Sequence, residues 1–176
     1  GINETIIDAE YGKGCIYPCG VQGSPIYVWT DTDDVTIKNL RVTHSYNGSS
    51  CCGEQYMTSG ISAYRADYLT INNVYFYETY SAINMYQASF LMVSNSTMER
   101  GDITSYNDAV RSWEIDAALD KPTVTFENNT ITGFYNGIQY YSLYEGFKVY
   151  NNHIHNNSGT AIYFDNGCRN RHASFD

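Results

Sequence analysis

One frame of apolar and polar positions returns five times along the chain. It runs apolar, any, apolar, any, Asn, with a further apolar residue three positions on. The copies are Val35-Thr-Ile37-Lys-Asn39-Leu-Arg-Val42, Leu69-Thr-Ile71-Asn-Asn73-Val-Tyr-Phe76, Leu91-Met-Val93-Ser-Asn95-Ser-Thr-Met98, Val124-Thr-Phe126-Glu-Asn128-Asn-Thr-Ile131 and Phe147-Lys-Val149-Tyr-Asn151-Asn-His-Ile154. The key asparagines are 34, 22, 33 and 23 residues apart. Two intervals therefore show a basic period of 22 to 23 residues, and the other two carry extra residues that fit loops near 43–57 and 99–109. A weaker element follows each frame, a small residue and then an apolar one: Gly60-Ile61, Ala82-Ile83, Ala109-Val110, Gly137-Ile138 and Ala161-Ile162. Alternation of period two marks short strands, and the Asn and Gly positions mark the turns between them.

The period selects the architecture. It is too short for a two-helix repeat, and the leucine consensus of a leucine-rich repeat is absent. A strand rises about 3.3 Å per residue, so three strands of four to five residues with their turns make one coil of a solenoid. Successive coils would lie about 4.8 Å apart and pair as parallel strands. Asparagine at the bend can take the left-handed conformation that a sharp corner needs. On this reading Asn39, Asn73, Asn95, Asn128 and Asn151 stack as a ladder of amides at one edge. Residues 35–176 form the continuous coils. Residues 1–34 add an irregular first coil around Thr5-Ile-Ile7 and Ile26-Tyr-Val28, for five to six coils in one domain. Val110 to Leu119 is the one helix-like stretch.

Composition agrees with an all-β chain. Its 176 residues include 18 Tyr, 17 Asn and 14 Gly, and only 16% are charged. Strong helix formers are scarce, while strand- and turn-favouring residues abound. The net charge of −9, with ten Lys and Arg together, excludes a phosphate-backbone partner. No apolar run reaches the length of a membrane span. The chain starts at Gly1 rather than Met, as after removal of a leader or excision of a segment. Five cysteines, Cys15, Cys19, Cys51, Cys52 and Cys168, allow either buried thiols or two disulfides in a secreted protein with one thiol spare. Glycosylation sequons begin at Asn3, Asn47, Asn95, Asn128 and Asn156. Asn95 and Asn128 also belong to the expected ladder, and a buried amide cannot carry a glycan.

The five-fold frame resembles the right-handed parallel β-helix repeat family over residues 35–165. That family includes pectate lyases, polygalacturonases, mannuronan epimerases and many surface proteins. The resemblance implies a fold and leaves the function open, because the scaffold hosts many activities. The Asn-Thr-Asp, Gly-His-Gly and Arg-Ile-Lys motifs of polygalacturonase-like enzymes are absent, as is the Tyr-Gly-Phe-Asp-Pro-His type of segment of the epimerases. The Asp33-Asp34 pair sits in Asp31-Thr-Asp-Asp and reads as a solvated turn with, at most, weak calcium affinity. Pectate-lyase-like chemistry would need a carboxylate cluster with a basic residue, for which Arg65, Asp67, Asp102, Asp108 and Arg111, with Glu114 and Asp116, are the candidates.

His153 and His155 share one strand face but lack a third metal ligand in sequence, so a surface pair is expected, with no metal and no cofactor beyond possible calcium. Tyrosines are dense at Tyr135, Tyr140, Tyr141, Tyr144 and Tyr150. Exposed rows of rings suit sugar rings or a neighbouring subunit, and stacking between successive coils is the alternative. Two functional expectations result. The first is an extracellular structural subunit that stacks end to end on its own copies, because both termini look uncapped. The second is a carbohydrate-active β-helix, lyase, hydrolase or glycan-binding module, with a groove lined by Tyr or Trp113.

Overall fold

The computed structural model describes residues 5–8, 24–29, 34–43, 59–86, 90–101, 107–113, 123–141 and 146–165. They form strands β1 (Thr5–Asp8), β2 (Ile26–Val28), β3 (Thr36–Thr43), β4 (Ser59–Tyr64), β5 (Leu69–Tyr77), β6 (Ser81–Tyr86), β7 (Leu91–Ser94), β8 (Thr97–Glu99), β9 (Asp108–Trp113), β10 (Val124–Glu127), β11 (Thr130–Thr132), β12 (Asn136–Tyr141), β13 (Phe147–Tyr150), β14 (His153–His155) and β15 (Ile162–Asp165). Every pairing between them is parallel.

Each coil has three limbs. The first limb runs up to the bend asparagine, in the front of β3 and β5 and in β7, β10 and β13. The second leaves that bend, in β1, the back of β3 and β5, and β8, β11 and β14. These two limbs share one sheet, and a second sheet of β2, β4, β6, β9, β12 and β15 makes the third limb. The early chain joins the same register, with Ile6 opposite Arg41 and Ile26 opposite Ile61.

The core follows from the alternation. Leu69, Leu91 and Val124 stack in one inward file, Ile71, Val93 and Phe126 in the next, and all are at most 2% exposed. Phe76, Met98 and Ile131 line the second limb, and Ile61, Ile83, Val110 and Ile138 the third. Each buried side chain of this size removes roughly 1.5–3 kcal/mol worth of apolar surface from water. Towards the last coils the core turns aromatic. Phe147 meets Phe126, Tyr140 and Phe164 at ring-centre distances of 5.9, 5.1 and 5.0 Å. Tyr140 is wholly buried, which pushes its hydroxyl pKa up.

The small residue that opens each third limb has a steric cause. A Cβ on Gly137 would collide with the Ala161 carbonyl of the next coil. At Gly133 the backbone has φ +81°, and a Cβ would run into the Arg100 carbonyl. The stretch Val110 to Leu119 differs from its helical expectation. Its first four residues belong to β9, held between β6 and β12, whose ladders supply partners on both sides. Residues 114–119 lie outside the described residues.

Candidate functional site

The bend asparagines come together as the register requires. Asn39, Asn73, Asn95, Asn128 and Asn151 occupy equivalent positions on successive coils, with φ between 51° and 57°. All five are exposed. Asn73 Nδ2 donates to Asn39 Oδ1 at 2.9 Å, whereas Asn128 Nδ2 turns to Glu127 Oε1 at 3.2 Å. Their shared property is the left-handed backbone, which asparagine tolerates best among residues with a Cβ.

An inner ladder lies one residue later, at Ser96, Asn129 and the half-buried Asn152, with Val74 N as its first donor, and sequence reasoning missed it. A bend takes one N–H and one C=O of each coil out of the parallel ladder, and both need partners. Asn129 Oδ1 accepts from Ser96 N at 2.9 Å, and Asn129 Nδ2 donates to Val93 O at 2.9 Å. Asn152 repeats this one coil up, accepting from Asn129 N and donating to Phe126 O. The signal was present in the doublets Asn128-Asn129 and Asn151-Asn152.

The charged candidates divide. Asp108 is 4% exposed on β9, with Arg111 Nε 3.5 Å away. Asn136 Nδ2 donates to it at 2.7 Å. Gln139, oriented so that both ends of its amide are satisfied, also donates to it and accepts from the Tyr141 hydroxyl. Burial pushes the Asp108 pKa up, while Asn136 and Arg111 pull it down. This carboxylate is enclosed by donors and ties two coils together. Arg65 and Asp67 sit at the corner after β4, two coils away and at the opposite end of the third limb from Asp108. Asp102, Glu114 and Asp116 lie outside the described residues. The same holds for Asn3, Asn47, the five cysteines, Asp31, Asp33 and Tyr144. Asn156 is exposed.

The tyrosines also divide. Tyr140 is core, Tyr135 and Tyr141 are half-buried, and Tyr150 is exposed and donates to Glu127 at 2.6 Å. At the end of the third limb Trp29, Tyr64 and Tyr86 stack at 5.4 and 5.1 Å, and Trp113 and Tyr141 hold the next register positions. Tyr64 and Tyr86 are only 5° from parallel, so each covers a face of the other. That file welds coils together, with both faces of Tyr64 covered by Trp29 and Tyr86.

A half-exposed ring lies at the corner between the third and first limbs. Tyr68 stacks on Phe90 at 4.4 Å and 3°, yet remains 52% exposed. The backbone there is left-handed at both Asp34 and Tyr68, with φ 57° and 56°, which turns this corner sharply in two adjoining coils. The pair lines a shallow cleft of about 500 Å³. Its floor is the outward file Thr36, Thr70, Met92 and Thr125, one residue per coil. Asp34 stands at the Tyr68 end and Thr123 at the Phe90 end. An aromatic ring, one carboxylate, three threonines and Met92 thus converge in one open groove.

Among known families, the chain matches the right-handed β-helix region over residues 24–176. The chain belongs to the right-handed β-helix family. Membership covers all of the repeating frame and fixes the hand of the coils. No curated protein and no solved structure matched the chain. Among the described residues, no helix of this β-helix is long and apolar enough to cross a membrane. No group of three or more His, Cys, Asp or Glu able to hold a metal ion occurs among them either.

Proposed function

We propose that this β-helix is a glycan-binding protein that takes a neutral saccharide chain in the Tyr68 cleft. The observation that carries the reading is the Tyr68 ring, half-exposed on its Phe90 partner beside an outward file of Thr36, Thr70, Met92 and Thr125. A pyranose has an apolar face of C–H groups and an edge of hydroxyls. The ring suits the first, and Asp34 with Thr36, Thr70 and Thr125 suits the second. The cleft runs across coils at the strand spacing, so an extended chain rather than one sugar would fill it. Charge sets the class. The cleft carries a carboxylate and, among the described residues, no lysine or arginine lines it, on a chain of net charge −9. Like charges across an interface disfavour binding, which selects against uronates and sulfated sugars.

The reading implies an extracellular protein, in keeping with five sequons and a cysteine set suited to an oxidising compartment. End-to-end stacking of copies would use chain ends that lie outside the described residues. Affinity electrophoresis or calorimetry against neutral and acidic polysaccharides tests the proposal. At least one neutral polymer binds, acidic ones bind more weakly, and Tyr68→Ala lowers affinity about tenfold, or 1.4 kcal/mol, without changing the fold. Unchanged affinity in Tyr68→Ala, or preference for acidic polymers, would overturn it.

A further inference from the structure

Strand β14 reads His153-Ile154-His155. Ile154 pairs with Ile131 and packs against the core, so alternation turns both imidazoles outward. Their ring centres are 4.2 Å apart and their planes differ by 27°. β14 ends its sheet on this side among the described residues, so its free flank faces away from β11. Its neighbours across the pairing are Thr130 and Thr132, which add no charge.

We propose that His153 and His155 form a two-point clamp for a borderline divalent transition metal, with Cu²⁺ bound most tightly. The rings now lie nearly parallel, so chelation requires both imidazoles to turn about χ1 and χ2 until one nitrogen of each points at a common metal at about 2.0–2.1 Å. The strand holds the two side chains on one side in advance, which lowers the ordering cost of binding. Two ligands leave the remaining positions to water, so the site is open and exchangeable, unlike a four-ligand structural centre. Imidazole pairs follow the usual order of affinity, with Cu²⁺ above Ni²⁺ and Zn²⁺. This clamp stands independently of the glycan cleft, which lies on another corner of the coil.

The experiment is a Cu²⁺ titration of the full chain, followed by electron paramagnetic resonance and thermal melting. One bound Cu²⁺ should show hyperfine structure from two nitrogens, and melting should rise with metal concentration. His153→Ala and His155→Ala should each weaken binding at least tenfold and leave one nitrogen, and the double variant should lose the signal. His44→Ala and His172→Ala should leave it intact. Both clamp residues face outward, so circular dichroism of the metal-free variants should match the parent. A two-nitrogen signal that survives in the double variant, or a parent with no nitrogen-coordinated Cu²⁺, overturns the proposal.

Discussion

The same bend is built in two ways at the two ends of the coil stack. In the early coils the residue after the bend is apolar, Leu40 and then Val74, and offers no inner side-chain acceptor of its own: Asn73 donates outside to Asn39 Oδ1, and Val74 N relies on Ser96 Oγ of the next coil. In the later coils that residue is polar, Ser96, Asn129 and Asn152, and the turn is fastened inside. The outer fastening is exposed, so water competes for it, and such a bond contributes little net stability. The inner one serves backbone groups that have no water to fall back on. The left-handed backbone is common to both, and so belongs to the bend. The hydrogen bonding is a separate layer that only some coils use.

Substitutions can break that contrast. Asn129→Ala should be the most damaging, at about 3 kcal/mol, because it strands Ser96 N and Val93 O in the core. Urea unfolding measures the loss, and amide exchange at Ser96 should accelerate. A loss under about 1 kcal/mol would mean that the inner ladder is ornamental. Ser96→Ala should cost about 1.5 kcal/mol, because Val74 N loses its acceptor at 3.1 Å. Asn73→Ala should cost about 1 kcal/mol, mostly because alanine tolerates φ 53° less well than asparagine. Asn73→Gly removes the same amide and keeps the conformation, so it should recover most of that loss. If Gly fares no better than Ala, the amide bond and not the backbone is what asparagine supplies there.

The sequence carried the coil, its period and its inward files, because alternation and spacing are local properties that burial amplifies. It carried the position of the bend for the same reason. It did not carry the division between Asn128 and Asn129. Both are asparagines, and one position along the chain turns a side chain from solvent to core. Nor did it distinguish the role of Tyr64 from that of Tyr68. Both flank a corner, and only the stacking partner and the left-handed turn at Tyr68 decide which ring lines the cleft. Asp34, read as part of a solvated turn, comes to a sugar-sized cleft only because the register sets it beside Tyr68 and Thr70. The charged candidates show the opposite error. Arg65 and Asp108 look related in a list of polar residues, yet two coils separate them.

A carboxamide also fastens the corner that leads into the third limb, and there a carboxylate makes the contrast sensitive to pH. Asn136 accepts from Thr160 N at 2.9 Å with one end and donates to Asp108 with the other. Burial raises the Asp108 pKa more than Asn136 and Arg111 lower it. Above the ordinary carboxylate pKa the unfolded chain has lost this proton while the folded chain keeps it. The folded state then binds more protons, so this residue's contribution to stability falls as pH rises through that window, up to the raised value. Asp108→Asn removes the titration and should flatten that part of the profile. Urea unfolding from pH 3.5 to pH 7 should show the variant gaining on the parent as pH rises. A variant that instead loses ground with rising pH would show that Arg111 outweighs burial, making Asp108 a salt-bridge anchor. The early-coil fastening, Asn73 to Asn39, contains no titratable group, so Asn73→Ala should leave the pH profile unchanged in shape.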